Sequence, residues 1–346
     1  MSRLLKKDKN TKHLNEIKEE ATMKTVIVGA GAIGTLLASY MVKGGADVTM
    51  LDLPEVVERL NKEDVEVRTL QGDSHKVKLK GTDDPNSLGD VDLLIFCVKT
   101  FHTEAAARSI ASHKDRVETV LSIQNGVDKE LILEKYFGKE KVIGGCCLEA
   151  ASRIDEKTVM HTMSGITFLG ELDGTISPRV ESAVKLFKDG GLNAEASDQV
   201  VSADWCKWIN FAAASAVCGL TRLPYYKVLL NPQSANLIAQ IYREYADLAK
   251  ESGVEVNDYP GFEVRTISQV SPEEAMKLLQ QRGKGLEEKG ATKVMPSIAQ
   301  DIVAGRRTEC ESIFGFAVRE GEAKGVSMPF SRHVYALISA IDQSLE

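Results

Sequence analysis

A chain of 346 residues, 43% of them hydrophobic, is long enough for two domains, each burying a core of its own. Its formal net charge of −7 argues against a general nucleic-acid binder, which gains affinity by setting Lys and Arg on phosphates. No run approaches the roughly 18 apolar residues of a membrane span and the N-terminus has no apolar signal core, so a cytoplasmic protein with a small-molecule partner is expected.

Residues 1–22 are polar and mixed in charge and read as an extension ahead of Met23. Asp8, Glu16, Glu19 and Glu20 argue against a mitochondrial presequence, because such peptides are poor in acids. From 23 to 197, short apolar strands alternate with helical segments. The strand candidates are TVIVGA, DVTMLD, VDLLIFCVK, ETVLSIQNG and KVIGGCC. Strands apolar on both faces and separated by helices predict a parallel sheet covered on both sides. TVMHTMSGITFLGELDG reads as a hairpin-like pair of strands, followed by a helix from Pro178.

From 198 to 346 the texture is helical, with candidates at 199–218, 232–252, 272–281, 296–304, 310–324 and 329–343. The expected fold is therefore an α/β dinucleotide-binding domain of the Rossmann kind followed by an all-helical domain, with the site in the crevice between them. Cys97, Cys146, Cys147, Cys206, Cys218 and Cys310 form no CxxC pair, and no His stands at metal-ligand spacing. They read as reduced, mostly buried thiols, and no metal is expected.

The stretch Gly29-Ala30-Gly31-Ala32-Ile33-Gly34 follows a strand and opens a helix. The first glycine permits a tight turn, the second a close approach of a pyrophosphate, and the third close packing of helix on strand. The unpaired N–H groups of the helix then face the phosphates. A second strand ends at Asp52, about 20 positions on, where a carboxylate accepts both ribose hydroxyls of NAD. Asp52 disfavours NADP by repelling a 2′-phosphate. Lys43 and Arg59 override this only if they fold over the adenosine.

Lys99 in FCVKTFHT and Asn125 in SIQNGVD stand past strand ends facing the crevice; taken alone they read as a solvated lysine and a turn asparagine. In DWCKWINF, Lys207 lies between two tryptophans, a setting that either desolvates a proton donor or lets a lysine snorkel past core rings. A later stretch, PSIAQDIVAGRRTECESIFGF, carries Ser297, Arg306, Arg307, Thr308 and Glu309.

Taken together, VIVGAGAIG, FCVKTFHT, IQNGV, SGITFLGELDG, DWCKW and PSIAQDIVAGRRTECESIFGFAVREGEAKGVSMP resemble the ketopantoate reductase (2-dehydropantoate 2-reductase) family from Met23 onward. The resemblance implies a helical domain of the 6-phosphogluconate dehydrogenase type. It also implies an NAD(P)H-dependent reduction of a 2-oxo acid to an (R)-2-hydroxy acid, ketopantoate to pantoate on the way to pantothenate and coenzyme A. By motif, Lys207 matches the catalytic lysine, Glu309 the glutamate that orients substrate, and Ser297 the serine at the carboxylate end. Lys99 and Asn125 match residues near the nicotinamide ribose and the substrate. A homodimer is compatible with this reading.

The match departs from the family at three places. The positions four and eight residues after the catalytic lysine, usually asparagines, are Phe211 and Ser215 here. Asn210 is one residue early, about 60° round the helix from Lys207, and is expected to reach the cleft. The position of the usual NADP arginine is Leu53, in agreement with Asp52 on NAD. The lost asparagines point to a second substrate class, bulky branched or aromatic 2-oxo acids of the D-mandelate type. A non-catalytic NADH sensor is the rival from another class; it would have no need of a general acid paired with Glu309.

Overall fold

A computed structural model describes residues 23–345; the expected 1–22 extension lies outside the described residues. The strands are β1 (Lys24–Val28), β2 (Asp47–Leu51), β3 (Val65–Thr69), β4 (Ser74–Val77), β5 (Lys80–Thr82), β6 (Val91–Phe96), β7 (Val117–Ser122), β8 (Val142–Cys147), β9 (Ala150–Arg153), β10 (Thr158–Met163), β11 (Ile166–Gly170) and β12 (Asn193–Ala196). Interleaved with them are α1 (Ala32–Lys43), α2 (Pro54–Lys62), α3 (Thr103–Ile110), α4 (Lys129–Phe137) and α5 (Pro178–Gly190).

The main sheet runs β12-β11-β8-β7-β6-β1-β2-β5. It is parallel from β5 to β8, and β11 turns antiparallel against β8. Strand order reverses between β1 and β6, so the ligand crevice of this Rossmann-like domain opens at the C-terminal ends of those two strands. KTVIV and VDLLIF are buried at nearly every residue because helices cover both faces. Leu37, Met41, Val184 and Phe187 of α1 and α5 fill one face; Ala107, Ile110, Leu133 and Phe137 of α3 and α4 fill the other.

The segment read as a hairpin at 158–174 is not one. β10 joins a second sheet, β4-β3-β10-β9, pairing parallel with β3 and antiparallel with β9, while β11 enters the main sheet. The chain changes sheets at Gly165, where a Cβ would stand 2.3 Å from the Leu148 carbonyl oxygen. Two consecutive strands with alternating side chains look alike whether they pair with each other or with distant partners.

The helical domain comprises α6 (Val200–Thr221), α7 (Tyr225–Leu230), α8 (Pro232–Glu251), α9 (Val264–Gln269), α10 (Pro272–Glu288), α11 (Ser297–Val303), α12 (Phe316–Lys324) and α13 (Pro329–Gln343). Pro at N1 and the Asn231 and Ser271 side-chain caps start α8 and α10 where the sequence indicated. Helix α6, roughly 33 Å long, is the core element: most of its residues are buried, packed by α8, α11 and α13. Trp208 lies against Tyr245 with ring centroids 4.6 Å apart. The helix expected at 310–324 opens as a π-turn, Glu311–Gly315, immediately after Glu309.

One buried ion cluster ties the two domains together. Lys129 of α4, 1% exposed, donates to Asp204 of α6, to Glu130 Oε1 at 2.9 Å and to the Gly126 carbonyl at 3.2 Å. With two carboxylates about one ammonium, burial pushes the Glu130 carboxyl up to about 7 even though Lys129 opposes it.

Candidate active site

The glycine loop has the shape the sequence implies. Gly29 has φ +101°, and a Cβ there would stand 2.7 Å from the Val98 backbone nitrogen. A Cβ on Gly34 would lie 2.0 Å from the Gly29 carbonyl oxygen. At Gly31, by contrast, no atom lies within 4 Å of a Cβ's place, so the loop is open where a pyrophosphate would approach the N-terminus of α1. Ala30, Ala32 and Ile33 complete the turn into the helix. Asp52 accepts the Ala30 N–H through Oδ2, and the Leu53 N–H through Oδ1 at 2.7 Å. A carboxylate has about four lone-pair sites, so two remain for ribose hydroxyls. These residues fit a dinucleotide. Lys43 does not fold over the adenosine: it ends α1, a helix about 18 Å long, with its ammonium 5.9 Å from the Tyr40 ring.

Across the crevice the structure brings Lys99, Asn125 and Glu309 together. Lys99 follows β6, and its Nζ lies 2.7 Å from Asp301 Oδ2 and 3.8 Å from Glu309 Oε2. Glu309, 4% exposed, accepts the Thr100 N–H at 3.0 Å and the Asn125 side-chain amide at 3.4 Å. Asp301 is gripped from its other oxygen by Arg306, at 3.0 and 2.7 Å. The Arg307 guanidinium sits 4.7 Å from the centroid of the Phe101 ring. Sequence reasoning missed the part of Asp301. Its signal was the Gln-Asp pair in the quoted motif, four residues after Ser297.

Lys207 is half-buried on α6, facing β8 closely enough that its charge offsets part of the burial that raises the Cys146 and Cys147 thiols. Among the described residues its ammonium makes no hydrogen bond or ion pair. Among the described residues no direct bond joins it to Glu309, contrary to the expected pairing; the Glu309 carboxylate is held by Thr100 and Asn125, with Lys99 3.8 Å away. Ser297 begins α11, which packs on α6, and its Oγ is shielded from solvent without a partner. Ser215 Oγ is in the same state.

Asn210 does not serve the cleft through its carbonyl oxygen. That oxygen accepts from Tyr242 Oη at 2.6 Å, Arg282 Nη1 at 2.9 Å and Tyr225 Oη at 3.5 Å. The 60° step round α6 turns it toward α8 and α10 instead. Phe211 is half-buried and packs against the helical core. All six cysteines are free, and all but the half-buried Cys97 are buried.

Residues 25–174 match the family model described as ketopantoate reductase PanE/ApbA, and residues 199–342 match its C-terminal counterpart. A 2-dehydropantoate 2-reductase of Archaeoglobus fulgidus is 28% identical over 319 residues, 92% of this chain and 98% of that one. Among solved structures, a PanE/ApbA family ketopantoate reductase from Ralstonia eutropha JMP134 is similar, with TM-score 0.78 and 24% identity over 93% of this chain and 99% of the other. D-mandelate dehydrogenase in ternary complex with NADH and anilino(oxo)acetate is equally similar in fold, with TM-score 0.78 and 23% identity over the same shares.

Proposed function

Because the chain belongs to the ketopantoate reductase family of oxidoreductases, we propose that it reduces a 2-oxo acid to an (R)-2-hydroxy acid with a nicotinamide dinucleotide. Ketopantoate is the first candidate substrate. Residues 23–197 bind the dinucleotide and residues 198–346 carry the groups that meet the substrate. The observation that carries this reading is Lys207, a half-buried ammonium on the core helix with no partner among the described residues.

A bound reduced nicotinamide supplies the hydride. As the ketone oxygen takes on negative charge, the Lys207 ammonium stabilises that charge and gives up a proton to it. The unpartnered Ser297 Oγ holds the carboxylate end. Glu309 fixes the side chain of Asn125 and the backbone of Thr100 across the crevice, with Lys99 beside the ribose. Asp52, with Leu53 next to it, favours NADH when it acts alone, since a carboxylate accepts ribose hydroxyls and repels a 2′-phosphate.

A second reading, a bulky branched or aromatic 2-oxo acid, is favoured by Phe211, an apolar ring one turn beyond Lys207. The fold likeness to D-mandelate dehydrogenase is consistent with it. NADH oxidation measured against ketopantoate, 2-oxoisovalerate and benzoylformate separates the readings. Turnover of ketopantoate above the others supports the first, preference for benzoylformate the second, and no turnover with any 2-oxo acid overturns both.

A further inference from the structure

Between Ala203 and Gly219, α6 is buried at every residue except Lys207, Asn210 and Phe211. Spaced three and four residues apart, these share one face, so Asn210 opens on the same side of the helix as Lys207. Its carbonyl oxygen turns inward, accepting from Tyr242 Oη at 2.6 Å, Arg282 Nη1 at 2.9 Å and Tyr225 Oη at 3.5 Å. The Tyr225 N–H in turn donates to the Val294 carbonyl at 2.9 Å, three residues before Ser297. The cluster is thus bounded by the two segments that carry Lys207 and Ser297.

Its hydrogen-bonding groups do not balance. Three donors converge on one carbonyl oxygen, which has two lone pairs. The half-buried Arg282 guanidinium, its carbon 5.6 Å from the centroid of the Tyr225 ring, makes its single hydrogen bond through Nη1. Among the described residues no carboxylate forms an ion pair with it, and the exposed Glu263 acts on it only at longer range. Nε and Nη2, the side-on edge of the guanidinium, and Nδ2 of Asn210 have no partner among the described residues, and none of the three is shielded from solvent. A half-buried cation with a free two-donor edge beside a free amide is a receptor for a planar anion. The edge presents two parallel N–H groups to the two oxygens of a carboxylate, and the amide adds a third.

We propose that Arg282 and Asn210 form a second anion-binding subsite at the tail end of the substrate pocket, so that the preferred 2-oxo acid carries a terminal carboxylate. The proposal rests on the proposed function for the reduction itself, in which Lys207 meets the ketone and Ser297 the first carboxylate. Asn210 starts about 4.5 Å further along α6 than Lys207. A short carbon chain, such as that of 2-oxoglutarate, covers this separation between ketone and terminal anion.

The test is steady-state reduction of 2-oxoglutarate and 2-oxopentanoate, which have the same number of carbons, by the full chain with NADH and with NADPH, read as the ratio of their kcat/KM values. The unaltered protein should favour 2-oxoglutarate by about tenfold, the scale of one charge-assisted hydrogen bond. Arg282→Gln should lower the ratio by about tenfold or more, and Arg282→Lys, which keeps the charge and loses the fork, by less. An arginine that only braces the helices would lower both kcat/KM values alike and leave the ratio where it was. Should Arg282→Gln not fold, the ratios in the unaltered protein and in Arg282→Lys decide.

No preference for 2-oxoglutarate in the unaltered protein would overturn the proposal and leave the proposed function standing. A ratio unmoved by the variants would do the same, as would turnover of ketopantoate but of neither probe. No turnover of any 2-oxo acid, ketopantoate and benzoylformate included, would overturn this proposal and the proposed function together.

Discussion

Lys99 Nζ stands 2.7 Å from Asp301 Oδ2, joining the end of a Rossmann strand to a helix of the other domain. Asp301 is 6% exposed at its side chain and Lys99 40%, so the pair sits at the rim of the crevice with its anionic half inside. Arg306 still neutralises Asp301 when Lys99 is removed. Lys99→Met should therefore cost only about 1 kcal/mol of stability, the range of a partly exposed ion pair. If Lys99 also orders the crevice for cofactor, kcat/KM should fall by about tenfold or more. Thermal unfolding and steady-state kinetics on the same preparation check this; parallel, small losses in both would make Lys99 a structural tie only.

Lys207→Ala removes the one half-buried ammonium that the proposed chemistry uses. The expected fall in kcat is about 10²–10⁴-fold, with dinucleotide binding nearly unchanged. Stability should change little, because no ion pair or hydrogen bond is broken among the described residues. Near-normal turnover would show that Lys207 is a side chain snorkelling between Trp205 and Trp208.

The parts of the site that were legible in the sequence are those set by local geometry. Gly29 needs a positive φ, Gly34 meets the strand's own carbonyl, and Asp52 lies at a fixed distance along the chain. The buried runs of β1 and β6 were equally plain. The second sheet was not, because VEVRT and SHKV are half-exposed strands and Glu66 pairs with Thr158 from far along the chain. Asn210 was misplaced for a similar reason: its donors Tyr242 and Arg282 lie 32 and 72 residues away, and a helical angle alone does not reveal them. Glu309 was legible as a candidate from its motif, whereas its partners Thr100, Asn125 and Lys99 depend on how the two domains meet.

The Lys129, Glu130 and Asp204 cluster makes stability depend on pH. Glu130 has a folded-state value of about 7, above its ordinary 4.5, because it is buried beside a second carboxylate. Its contribution is fully present below about 4.5 and is lost as the pH rises from there through about 7, to the order of 3 kcal/mol. Glu130→Gln keeps a neutral hydrogen-bonding side chain and should remove that slope, making the variant relatively more stable at pH 8.5 than at pH 5.5. Urea unfolding midpoints of both proteins across this window decide it; parallel curves would mean that Lys129 holds Glu130 ionised throughout.

If the proposed function holds, specificity should turn on Phe211, one helical turn beyond Lys207. A phenyl ring cannot partner a substrate hydroxyl, and a hydroxyl buried without a partner costs about 1–3 kcal/mol. Asn210 is no substitute through its carbonyl oxygen, which Tyr242, Arg282 and Tyr225 already occupy. Ser215 remains: it lies on the same face of α6, is fully buried and has an unpartnered Oγ, which makes it a candidate acceptor on the helix. Phe211→Asn should accordingly shift kcat/KM toward ketopantoate, relative to 2-oxoisovalerate and benzoylformate, by about tenfold, the value of one recovered hydrogen bond of roughly 1.4 kcal/mol. The double variant Phe211→Asn with Ser215→Ala distinguishes the two acceptors. If the asparagine alone reads the hydroxyl, the shift survives loss of the serine; if Ser215 already reads it, Ser215→Ala by itself lowers kcat/KM for ketopantoate, and Phe211→Asn adds little.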